Sequence, residues 1–134
     1  MKLLKIKSRQ DFLKIQNHFK IKWFSNNFLI LIIETDEKYI KNVNNINNFK
    51  FIRLGIAVTK KIDKRAVIRN NIKRKIRENI RILLKENNDL FINFCDYEII
   101  AKKSFLDVSH IDLKNEFIDS LKKAKEKYEQ QFNK

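Results

Sequence analysis

The segment from Lys60 to Arg81 holds ten basic side chains: Lys60, Lys61, Lys64, Arg65, Arg69, Lys73, Arg74, Lys75, Arg77 and Arg81. Only Asp63 and Glu78 oppose them, so these 22 residues carry +8 of the chain's formal +14. Five of the chain's seven arginines lie here. The rest of the sequence is rich in isoleucine, asparagine and lysine, a bias that replaces arginine with lysine. Arginine kept in one segment therefore points to a use for the guanidinium fork, which grips phosphate through two parallel bonds and stacks on bases. At helical spacing, Arg65, Arg69, Lys73, Arg77 and Arg81 form one slowly winding ridge. Like charges four apart repel by a few tenths of a kcal/mol, and basic residues near a helix start oppose its dipole by about 0.3–1 kcal/mol each. A protein alone gains nothing from that arrangement, whereas a nucleic-acid backbone on the ridge relieves both costs. Lys122, Lys123, Lys125 and Lys127 sit beside Glu126 and Glu129 and read as an ordinary solvated helix face.

No other residues form a catalytic constellation. His18 and His110 have no companions that would make a metal site or a triad. Cys95 lies in an apolar stretch and reads as core; a single cysteine also excludes a disulfide framework and a cysteine-rich zinc module. Asp96 and Glu98 are assigned to opposite faces of a strand, which leaves no paired carboxylates. Phe12 and Phe19 read first as core, although an aromatic at a cleft edge can stack on a base. One glycine and no proline exclude a phosphate-binding glycine loop and a proline-rich linker. The expectation is a basic RNA- or DNA-contacting protein with no catalytic residue and no metal ligand of its own.

The elements that must position the ridge are legible in outline. Ser8 and Asp11 make a variant capping box ahead of Phe12, Ile15 and Phe19, which predicts a helix over 9–19. Phe28–Ile33 is a short β-branched run and reads as a buried strand. The polar, Asn-rich stretch 34–48 reads as a loop or hairpin tip. From 49 to 59 the sequence alternates, with Ile52, Leu54, Ile56 and Val58 on one face. The other face ends in the small residues Gly55, Ala57 and Thr59, an invitation to close approach. Ile68, Ile72, Ile76, Ile80 and Leu83 predict a helix over about 65–85. Tyr97–Ala101 reads as a strand, with Phe91–Phe94 either extending it or packing separately. Asp112 is the expected cap of a last helix built on Phe117, Leu121, Ala124 and Tyr128. The basic amino terminus lacks the apolar stretch and cleavage site of a secretory signal, and the longest apolar run is far below the ~20 residues of a spanning helix. These features predict one α+β domain over 1–134, soluble, cytoplasmic and without a membrane partner.

Within this frame, LGIAVTKKIDKRAVIRNNIKRKIRENIR (Leu54 to Arg81) resembles the strand, Lys-Lys loop and arginine-rich helix of the protein component of bacterial ribonuclease P. The family's R-N-x-x-K-R-x-x-R pattern is complete at Arg69, Asn70, Lys73, Arg74 and Arg77. SRQDFLKI (Ser8 to Ile15) resembles the family's first helix, and DYEIIAKKS (Asp96 to Ser104) its last strand and basic turn. Asn71 stands where the family usually has a basic residue, and Gln16 where it often has a second aromatic. The resemblance implies an α-β-β-β-α-β-α sandwich with a left-handed βαβ crossover, like ribosomal protein S5 domain 2. It also implies that the protein joins a catalytic RNA to remove the 5′ leader from precursor tRNA, an endoribonuclease reaction whose hydrolysis and magnesium ions belong to the RNA. The RNA-binding residues it implies are Lys60, Lys61, Lys64, Arg65, Arg69, Asn70, Lys73, Arg74, Arg77 and Arg81, with Phe12, Arg69, Lys73 and Arg77 at a cleft for the single-stranded leader. The other reading is a small ribosomal-type RNA-binding protein without processing activity.

Overall fold

A computed structural model describes residues 1–46 and 49–132. Five strands form one mixed sheet, β1 (Lys2–Lys5), β2 (Ile21–Phe24), β3 (Phe28–Glu34), β4 (Phe51–Ala57) and β5 (Cys95–Ala101), in the order β1-β4-β5-β3-β2. β1 and β5 run parallel to β4, while β3 is antiparallel to both β5 and β2. Four helices cover it: α1 (Arg9–His18), α2 (Glu37–Ile46), α3 (Ala66–Glu86) and α4 (His110–Phe132).

Strand alternation divides the core between the two faces. Phe28, Ile30, Ile32, Ile52, Leu54, Tyr97 and Ile99 pack under α3 and α4, where Ile72, Ile76, Ile80, Phe117 and Leu121 meet them. The Phe28 and Phe117 rings stack at 4.3 Å. On the other face Leu31 and Ile33 meet Ile15 of α1. The isoleucine stripe of α3 is thus the core stripe that its spacing predicts, and Ser8 caps α1 by accepting from the Asp11 amide at 3.1 Å.

Four expectations need correction. Residues 37–46 of the supposed loop form α2, anchored where the Asp36 carboxylate accepts from the Lys38 amide at 2.8 Å and Tyr39 packs edge-on against Phe51; positions 47 and 48 lie outside the described residues. The amino terminus supplies β1, because Leu3 and Leu4 pair beside Ile52 and Arg53. The last helix is capped by Ser109, whose hydroxyl accepts from the Asp112 amide at 3.2 Å, and not by Asp112. Finally, Asp96 and Glu98 share a face: residues two apart on a strand point the same way, and both lie under α1. Phe91–Phe94 does not extend β5, since Phe94 takes the left-handed conformation, φ 59°, and turns the chain just ahead of the strand.

Buried charge locks α1 in place. Arg53 is almost fully buried; its Nη2 donates to Asp11 Oδ2 at 2.7 Å and its Nε lies 3.4 Å from Asp96 Oδ1, without hydrogen-bond alignment. Thr35 donates to the same Asp96 oxygen at 2.7 Å, and the guanidinium lies 4.3 Å from the Tyr39 ring centroid. α1, α2 and β5 therefore converge on one arginine of β4, and Thr35, just past β3, braces Asp96. Burial raises the Asp96 carboxyl above its ordinary value, with Thr35 and Arg53 pulling against that rise.

Candidate nucleic-acid interface

Gly55 is the chain's single glycine, and its place in β4 has a steric cause. A Cβ there would lie 2.5 Å from Cε1 and 2.7 Å from Cζ of Phe12, so the ring rests directly on the backbone of the sheet. α1 holds Phe12 over Gly55 through the Asp11–Arg53 bond one residue earlier. The half-buried ring forms one wall of a cleft of about 500 Å³, lined also by Lys5, Lys7, Ile56, Lys73 and Arg77. Four of the lining residues are basic and none is acidic. Lys73 and Arg77 come from adjacent turns of α3, fixed by Ile72 and Ile76 in the core. Among the described residues neither has an ion-pair partner.

The rest of the ridge is divided by local partners. Asp63 accepts from the Arg65 backbone amide at 2.8 Å and from its guanidinium at 3.0 and 2.9 Å. Those bonds hold the Asp63 carboxyl down at about 2. Arg69 turns away from the cleft: its Nη1 donates to the carbonyls of Asp63 at 3.0 Å and Lys64 at 2.7 Å. It clamps the loop that leads into α3. The expected cleft set Phe12, Arg69, Lys73 and Arg77 is therefore brought together except for Arg69. Arg74 donates to the Asn71 side chain, and Arg81 pairs with Glu78. Lys60, Lys61, Lys64 and Asn70 are exposed on the loop and first turns of α3 and are not among the residues that line the cleft.

Sequence reasoning missed Lys5 and Lys7, because it did not place the amino terminus in the sheet. The small-residue end of β4 was the signal for close approach, and Phe12 is what approaches. Gln16, one turn beyond Phe12, also has a structural cause. It lies over Glu98, which pairs with Gly55 in the β4–β5 register, and its amide Nε2 reaches both carboxylate oxygens at 3.3 and 3.4 Å. Glu98 is fully buried, and burial raises its carboxyl above the ordinary value. Cys95 is core as expected; burial pushes its thiol up to about 12, which leaves no thiolate for chemistry. Among the described residues no three His, Cys, Asp or Glu side chains converge to hold a metal ion, and no helix is long and apolar enough to cross a membrane.

Residues 1–125 match the family described as Ribonuclease P. A ribonuclease P protein component of Clostridium botulinum (strain Langeland) is 37% identical over 124 residues, spanning 92% of this chain and 96% of the relative. One from Rickettsia prowazekii is 32% identical over 111 residues, spanning 83% and 86%. The RNase P protein of Staphylococcus aureus has a similar structure, with a TM-score of 0.69, 28% identity and coverage of 92% and 97%. That of Thermotoga maritima shares the fold with a TM-score of 0.66, 23% identity and coverage of 89% and 96%.

Proposed function

Because the chain belongs to the ribonuclease P protein family, we propose that its basic cleft receives the single-stranded 5′ leader of precursor tRNA. The protein is the RNA-binding subunit of ribonuclease P, whose endonucleolytic tRNA maturation is catalysed by RNA. One observation carries the assignment of the cleft: the Phe12 ring on Gly55 faces four basic residues with no carboxylate among them. A single strand offers what that lining needs, π-faces for the ring and phosphates for Lys73, Arg77, Lys5 and Lys7. Duplex RNA buries its base faces and would leave Phe12 idle.

The exposed cations outside the cleft, Lys60, Lys61, Lys64, Arg65, Arg74 and Arg81, together with Asn70, then serve the catalytic RNA. Arg69 supports them by fixing the loop. Magnesium belongs to that RNA in this reading, since among the described residues no three His, Cys, Asp or Glu side chains converge to hold it. The cytoplasm, where precursor tRNA and the catalytic RNA meet, is the place of action.

The test is reconstitution with the cognate RNA. Rigorously RNA-free protein should not cleave precursor tRNA, and adding the RNA with magnesium should give the mature 5′ end. In the complex, Lys73→Gln/Arg77→Gln should weaken binding of precursor tRNA while leaving binding of mature tRNA unchanged. Equal loss on both would remove the leader from the cleft.

A further inference from the structure

Beyond the cleft, the face of the sheet that carries α1 holds a second aromatic and basic cluster, at the opposite edge. Strand register lines up Ala57, Ile100, Leu29 and Phe24 as one row across β4, β5, β3 and β2. The adjoining row, Gly55, Glu98 and Leu31, is buried, whereas Ala57, Ile100 and Leu29 are only half-buried. A strip of apolar floor therefore runs beside α1 from Phe12 to the β2 edge. Crossing from β4 to β2 takes three strand spacings, roughly 14 Å.

At the far end of the strip stands Phe24, 64% exposed. A phenylalanine so placed contributes little to the core, and two ammonium groups attend it. Lys22 Nζ lies 5.1 Å and Lys102 Nζ 5.8 Å from its ring centroid. Lys22 also reaches the partly exposed Phe19 ring at 5.6 Å. Lys102 is tethered by donating to the Ser25 carbonyl at 2.5 Å, so one cation is held beside the ring before any ligand arrives. Among the described residues neither lysine has an ion-pair partner. The cluster shares with the cleft an exposed aromatic ring attended by cations that have no ion-pair partner, although Phe24 also borders a cavity lined by Asp112, Glu116 and Asp119.

We propose that Phe24, flanked by Lys22 and Lys102, is a second stacking platform for single-stranded RNA and takes a base of the same leader farther from the cleavage site. This inference rests on the leader occupying the Phe12 cleft. The strip supplies the connection: Leu29 and Ile100 are neutral and flat, so the strand crosses them without a polar contact between its two anchors. Phosphates on either side of the stacked base meet Lys22 and Lys102.

The test uses the reconstituted ribonucleoprotein and precursor tRNAs with a leader of about ten nucleotides, within the span a single-strand groove covers, or trimmed to about two. Phe24→Ala should weaken binding of the long-leader substrate by about tenfold and change the short-leader substrate less than twofold. Phe24→Trp should restore long-leader binding, which a merely structural role for the ring would not produce. Equal losses on both substrates, or no loss on either, overturn the platform. Lys73→Gln/Arg77→Gln, measured in parallel, separates the two readings. If it loses long-leader binding while Phe24→Ala does not, only the platform falls; if neither variant loses it, the leader cleft falls as well.

Discussion

Gly55 and Phe12 act as a pair, and the pair predicts an unusual separation of stability from binding. Gly55→Ala places a methyl group where Cε1 and Cζ of Phe12 now sit. Those atoms are the free end of a half-buried side chain, so the ring can swing out, and alanine loses less backbone entropy than glycine by about 0.5–1 kcal/mol. Thermal unfolding should therefore change by less than about 1 kcal/mol. Leader affinity should fall by about tenfold, because the ring is no longer held as a cleft wall. A large loss of stability with unchanged affinity would show that the ring's position serves packing alone. Glu98 gives a pH signature. Burial raises its carboxyl in the folded protein, so its contribution to stability is full at low pH and is lost as the pH rises through the folded value. Glu98→Gln removes that loss and keeps a side chain that can bond Gln16. The variant should melt higher than the parent at neutral pH, and the two curves should converge below 4.5, the ordinary glutamate value. A gap that widens in acid would contradict this sign.

Among the elements, α3 does two jobs with one ridge. Five basic residues at helical spacing look equivalent in the sequence, yet Arg69 spends its guanidinium on the carbonyls of Asp63 and Lys64 while Lys73 and Arg77 face the cleft. Lys73→Gln/Arg77→Gln should be as stable as the parent, because glutamine keeps helix propensity and the i, i+4 repulsion disappears. Arg69→Gln should instead lower the melting temperature by loosening the loop into α3. The exposed pair Lys122→Gln/Lys123→Gln removes the same charge from α4 and should leave RNA binding nearly intact. Arg53 is the stronger structural test. Arg53→Leu strands Asp96 in the interior and should cost about 3–5 kcal/mol in urea unfolding. Helix and strand periodicity made α1, α3, α4, β3, β4 and β5 legible, whereas Phe12, Lys73 and Arg77 came to one cleft through the family resemblance. α2 was illegible because its asparagines favour turns and its anchor is Arg53, a contact between distant positions. The resemblance also set Arg69 in the cleft, because neither motif nor spacing reports the loop carbonyls that it bonds instead. β1 escaped because its lysines mask two leucines that only β4 explains.

For the whole molecule, charge sets the association behaviour. Each single-strand phosphate neutralised contributes about −0.7 to the slope of log affinity against log salt. Losing Lys73 and Arg77 should reduce that slope by about 1.4, and a filter-binding series across salt concentrations would measure it. An unchanged slope would mean that these two cations touch no phosphate. The sheet also has a temporal side. β5 is its central strand, paired with β4 and β3 at once, but it follows nearly everything that must lean on it. α1 is finished at His18, whereas Glu98 beneath it is added ~80 residues later, which at the usual pace of synthesis is roughly 4–16 s. Until β5 arrives the β1–β4 and β2–β3 pairs have nothing to join them, and the growing chain carries its lysines and arginines without a complete sheet. During its own translation the protein is thus a polycation in search of an anion, and RNA is able to find it before its fold does.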